Sequence, residues 1–91
     1  MDRILSATVP TKVTSGKPFT IKVDYESMAG GSLELSVDDG FAVAPASVAI
    51  TPSTPGSITF QATITRGTAT SKHTTLKLVF GNVHESLVEV A

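Results

Sequence analysis

The sequence predicts an all-β domain, a sandwich of two mainly antiparallel sheets built from about seven or eight strands. Three observations predict it. Apolar residues recur with a period of two through most of the chain. No window carries a capped helical pattern with a 3.6-residue period. Turn-forming clusters rich in Gly, Pro, Asn and Asp punctuate the alternating runs at short intervals. With 91 residues, the chain has room for one domain, residues 1–91.

The elements follow in order. Ile4–Val9 reads as a first, apolar strand. Phe19, Ile21, Val23 and Tyr25 alternate with Thr20, Lys22, Asp24 and Glu26, which gives one buried and one wet face. Leu33, Leu35 and Val37 alternate with Glu34, Ser36 and Asp38. Short strands are expected over Phe41–Val43 and Ser47–Thr51. Ile58, Phe60, Ala62 and Ile64 alternate with Thr59, Gln61, Thr63 and Thr65, and Leu76, Leu78 and Phe80 form the next inward series. Leu87–Val90 ends the chain as a strand. Turns fall at Ser15–Pro18, Ala29–Gly31, Asp38–Gly40, Pro52–Gly56, Arg66–Gly67 and Gly81–Asn82.

The last hairpin poses a register choice. A two-residue turn at Gly81-Asn82 sets Leu78 opposite Glu85 and pairs a core leucine with a carboxylate. A five-residue loop, Gly81 to Glu85, sets Leu78 opposite Val88, Leu76 opposite Val90, Lys77 opposite Glu89 and Val79 opposite Leu87. Matched cross-strand pairs contribute about 0.2–1 kcal/mol each, so the longer loop is the expectation. It leaves Val79 and Leu87 as a small outward apolar pair, the candidate contact residues for a protein partner.

Composition narrows the function. The formal net charge is −1, with signs interspersed, no Trp and one Tyr. Without a basic run or stacking platforms, nucleic-acid binding is not expected. Charged residues make up only 16% of the chain, and 10 Ser and 13 Thr supply the polarity, as suits pleated-sheet surfaces. No Cys is present, so neither a disulfide framework nor a thiolate metal site exists. No apolar run approaches the roughly 18 residues of a membrane helix, and membrane insertion is not expected.

The stretch Val9-Pro10-Thr11-Lys12-Val13-Thr14-Ser15-Gly16-Lys17-Pro18-Phe19-Thr20-Ile21-Lys22-Val23 resembles the opening of many bacterial and phage immunoglobulin-like domains: a strand, a turn at Gly, then a strongly alternating second strand. Val48-Ala49-Ile50-Thr51, a Pro/Gly loop and Ser57-Ile58-Thr59-Phe60 are similar to their middle. The resemblance spans most of the chain through generic motifs. The Cys…Trp…Cys core of antibody domains is absent. The resemblance implies adhesion, spacing or decoration of a surface, and it supplies no catalytic residues.

Nothing in the sequence assembles a catalytic constellation, and no enzyme activity is expected. His73 and His84 are the only imidazoles and read as surface residues near strand ends. No G-x-S-x-G elbow or metal-binding His motif occurs. Asp38-Asp39-Gly40 reads as a turn rather than a Ca²⁺ site, which wants six to eight oxygens. Phe19, Tyr25, Phe60 and Phe80 fall on inward phases and Phe41 heads a short strand, which leaves no aromatic platform for sugar. No cofactor, metal or small-molecule substrate is therefore expected.

Two classes of function follow. A chain beginning at Met1, with no leader-length apolar stretch and ending directly after its final strand, points to a small accessory protein that decorates or cements a phage capsid or similar assembly at the virion surface. Its contacts would be edge strands, here the first and the last, and exposed apolar residues. The alternative is a spacer or adhesion module of a bacterial cell-surface protein, packed against neighbouring domains. A carbohydrate-binding module ranks below both.

Overall fold

The computed structural model describes residues 1–91. Every regular element is a strand: β1 (Arg3–Thr8), β2 (Lys12–Val13), β3 (Pro18–Ser27), β4 (Gly31–Ser36), β5 (Phe41–Ala44), β6 (Ser47–Ile50), β7 (Ser53–Arg66), β8 (His73–Phe80) and β9 (Asn82–Val90). One sheet has the order β1-β3-β7-β5, the other β2-β9-β8-β4-β6. All pairings are antiparallel except the short parallel contact of β2 with β9. The count is nine strands rather than seven or eight. The extra one is β2, whose two residues pair Lys12 with Glu89 and Val13 with Val90.

The period-two pattern places the core. Ile21, Val23 and Tyr25 of β3 and Ala62 and Ile64 of β7 are buried, as are Leu33 and Leu35 of β4, Leu76, Leu78 and Phe80 of β8, and Val88 and Val90 of β9. With Ile4, Val13 and Ile50 they form one apolar cluster of 15 residues drawn from both sheets. Burial of each large side chain contributes roughly 1.5–3 kcal/mol, most of it offset by chain entropy. Phe19, Phe41 and Phe60 are half-buried against this cluster, so no aromatic ring stands out from the surface.

β7 runs straight through the expected Pro52–Gly56 turn, because β3 keeps pairing with it. Tyr25 lies opposite Gly56 and Ser27 opposite Ser53, with a register irregularity between them. Gly56 is needed there. A Cβ on it would sit 2.7 Å from Tyr25 Cζ, where the ring crosses the backbone. Tyr25 then reaches Thr51, donating from its hydroxyl to the carbonyl oxygen at 2.9 Å, and meets Phe80 edge-on at 6.0 Å. A buried tyrosine with a satisfied hydroxyl combines large apolar burial with a fixed orientation.

The β8–β9 hairpin departs from both registers considered above. Phe80 pairs with Asn82, Val79 with Val83, Leu78 with His84, Lys77 with Glu85 and Thr75 with Leu87. Gly81 alone forms the apex, at a left-handed φ of 77°. The expected five-residue loop is thus strand from Asn82 onward. The cause lies outside the hairpin: the Asn82 carboxamide accepts from Ile4 N at 2.7 Å and donates to Ile4 O at 2.9 Å. This side chain bridges β9 to the backbone of β1 and makes a polar inward-phase residue affordable.

The outer face of the first sheet carries paired polar groups. Arg3 Nε lies 2.7 Å from Glu26 Oε1, and Ser6 Oγ donates to Asp24 Oδ2 at 2.9 Å. The hydroxyl of Ser6, then that of Ser57 on the other neighbouring strand, holds the Asp24 carboxyl below the usual carboxylate range. Burial opposes this weakly and Lys22 adds to it. A carboxyl depressed in the folded state stabilises above its unfolded pKa, and that contribution is lost as pH falls through the folded value. Asp24→Asn is expected to lower the neutral plateau of a stability–pH curve and to converge with wild type at acid pH, so that part of the acid limb is flattened. Urea midpoints measured from about pH 6 down to about pH 2 check this; a variant curve parallel to wild type would refute it.

Candidate protein-contact face

The strand order fixes which residues share the outer face of the second sheet. Along β8 and β9 the outward cross-strand pairs are Val79 with Val83, Lys77 with Glu85, Thr75 with Leu87, and His73 with Glu89. On the other side of β8, Glu34 stands opposite Val79 and Ser36 opposite Lys77. Successive same-face rows lie about 6.8 Å apart, two residues of strand rise.

Val79 and Leu87 both point outward, at 36% and 66% exposure. They are not cross-strand partners, because the register sets Val79 against Val83 and Leu87 against Thr75. Val83, at 55% exposure, is the third apolar member and was assigned to a loop by sequence. Single exposed apolar residues are ordinary on protein surfaces, but these three share one sheet face.

The charges between them are paired. Lys77 Nζ lies 3.7 Å from Glu85 Oε1, Lys12 Nζ 3.5 Å from Glu89 Oε2, and His73 Nε2 3.7 Å from Glu89 Oε1. The expected partner of Lys77 was Glu89; the shorter turn gives it Glu85 and leaves Glu89 to Lys12 and His73. Exposed pairs of this kind contribute about 0–1 kcal/mol to stability. The face therefore reads as bands: an apolar row, an ionic row, a mixed Leu87–Thr75 row, and a second ionic row.

The first strand is an edge, as expected: β1 lies at the margin of its sheet, as β5 and β6 do of theirs. β2 pairs with β9 only at Glu89 and Val90, so Leu87 and the stretch of β9 before it have no strand on that side.

At one end of the molecule the Asp38–Phe41 turn and the Thr68–Ser71 loop frame a shallow depression of about 380 Å³. Of its two acids, Asp38 is committed to the fold and Asp39 is exposed. Asp38 Oδ2 accepts from Thr75 N at 3.0 Å, and Asp38 N donates to the buried Thr74 Oγ1 at 2.9 Å. No three His, Asp or Glu side chains converge to hold a metal ion.

His73 is exposed at the start of β8, as expected. His84 is not a surface residue: it is half-buried on the inward phase of β9, and its Nδ1 is buried with no hydrogen-bond partner. Neither imidazole shares a hydrogen bond with a hydroxyl, so no nucleophile–base pair forms at either. No protein-family model matches the chain, and no curated protein matches it in sequence.

Proposed function

We propose that this chain is a non-catalytic immunoglobulin-like module that binds protein through the outer face of β8 and β9. Its setting is a regular protein lattice, with the surface of a phage capsid as the first choice. The observation that carries the reading is the apolar set Val79, Val83 and Leu87 on one sheet face, with the Lys77–Glu85 ion pair between them. Docking along β8 and β9 buries apolar area around a paired charge and leaves the unpaired Glu34 of β4, beside Val79, at the rim.

The immunoglobulin-like assignment is supported by the strand order. With β1, β3 and β7 taken as strands A, B and E, and β4, β8 and β9 as C, F and G, the sheets carry the A-B-E and G-F-C orders of that fold. β5 then occupies the D position beside E, and β6 lies beside C. The chain visits β5 before β6, a departure from the variable-type path.

Replacing Leu87 by Lys removes an apolar contact and adds a charge in the middle of the docked face. Roughly tenfold lower occupancy on capsids is expected, read by co-sedimentation with particles from the source of the chain. Equal occupancy of a folded Leu87→Lys variant removes this face from the contact. Failure of the wild-type chain to sediment with capsids removes the capsid.

A further inference from the structure

We infer that the first partner of this face is a second copy of the chain, related by a two-fold axis that runs parallel to β8 and β9, midway between them. The inference rests on reading this face as a protein-contact surface. It follows from how the rows are populated.

Such an axis places each outward residue of β9 over its own row-mate on β8 of the second copy. Val83 then faces Val79, Glu85 faces Lys77, Leu87 faces Thr75, and Glu89 faces His73, each pair occurring twice by symmetry. The apolar Val79–Val83 row and the ionic Lys77–Glu85 row are each complementary to themselves under this operation. Lys77, 3.7 Å from Glu85 within its own chain, gains the second copy's Glu85 as a further partner. The perpendicular choice, an axis across the strands through the same ionic row, stacks Lys77 on Lys77 and Glu85 on Glu85. Electrostatics therefore selects the orientation as well as the contact. A formal net charge of −1 adds little repulsion between copies.

The area sets the strength. With the axis midway between β8 and β9, only these two strands overlie each other fully, and β4 falls opposite β2, which spans only Lys12–Val13. Two strands about 4.8 Å apart and about 27 Å long overlap by about 260 Å² a face, well below the area of a standard stable complex. The dimer is accordingly weak, and a lattice that raises local concentration favours it.

The test is a charge swap. In sedimentation equilibrium the wild-type mass is expected to rise with concentration from 9.4 kDa toward twice that value. Lys77→Glu leaves two acids in the central row and Glu85→Lys leaves two bases, so each variant alone stays monomeric. Both positions are exposed, with side chains 49% and 57% accessible, so both variants fold. An equimolar mixture of the two is expected to recover dimer within about threefold of the wild-type Kd.

A mixture that stays monomeric, single variants that dimerise as wild type does, or a wild-type chain monomeric at millimolar concentration would each overturn the inference. A readout free of variants is the concentration dependence of wild-type amide shifts, expected on β8 and β9 and lost at about 0.5 M salt. Shifts confined to other strands count against it. If dimerisation fails while Leu87→Lys still loses capsid occupancy, the contact face stands and only its first partner changes.

Discussion

Leu78→Ala is expected to lower the unfolding free energy by about 2–5 kcal/mol, the range for truncating a buried leucine to leave a partly collapsed cavity. Leu78 is fully buried in the middle of β8, between Leu35 on β4 and His84 on β9. A domain of this length has a total stability of only about 5–14 kcal/mol, and the chain has no disulfide to limit its unfolded state. The loss is therefore a large fraction of the whole, and a melting temperature lower by more than about 10 °C is expected. Val79→Ala, one residue along and facing outward, should stay within about 0.5 kcal/mol of wild type. Urea titration of both variants measures the contrast. Similar losses at the two positions would mean that β8 does not separate an inner from an outer face.

That contrast between neighbours is the part of the fold most legible in the sequence. Burial follows alternation because strand side chains point to opposite faces, so β3, β4, β7 and β8 could be read residue by residue. Register could not. Both the expected pairing of Leu78 with Val88 and the observed pairing with His84 keep Leu76, Leu78, Val88 and Val90 inward and Val79 and Leu87 outward. Hydrophobic pattern rejects a slip of one residue, which flips a face. It is nearly blind to a slip by an even number, which keeps every residue on its own face.

The offset was decided by groups that alternation does not weigh. The inward phase of β9 begins Asn82, His84, Ser86 and becomes apolar only at Val88, so its first half looks like loop. Asn82 is tolerated there because β1 approaches: its side chain bonds both backbone groups of Ile4. The same misreading hid Val83 and Glu85, and with them the apolar row and the ionic row of the contact face. β2 escaped notice for another reason. Two residues carry no periodicity, and their strand character exists only through Glu89 and Val90 beside them. The passage of β7 through Pro55 and Gly56 was likewise set by its partner strand, since Gly56 makes room for the Tyr25 ring.

Gly81→Ala is expected to cost about 2–4 kcal/mol, although the residue is exposed and removes no apolar contact. Two effects combine. A φ of 77° lies in the left-handed region, which costs a residue with a Cβ about 1–2 kcal/mol. The added Cβ would also be driven into the carbonyl oxygen of Asp2, which packs directly against the apex. Asp2 cannot retreat without loss. Its Oδ1 accepts from the buried Ser27 Oγ at 2.8 Å, and that oxygen in turn accepts from Gly30 N at 2.8 Å. The adjoining Asn82–Ile4 pair is strained by the same displacement, and each hydrogen bond given up costs about 0.5–1.5 kcal/mol. Hydrogen exchange separates the two effects. If the N-terminal segment is pushed away, the Ile4 amide, bonded to Asn82 Oδ1 at 2.7 Å, exchanges much faster in the variant than amides in β3 do. A stability loss of about 1–2 kcal/mol with Ile4 still protected would leave only the backbone penalty. The apex would then set the hairpin register without help from the N-terminal strand.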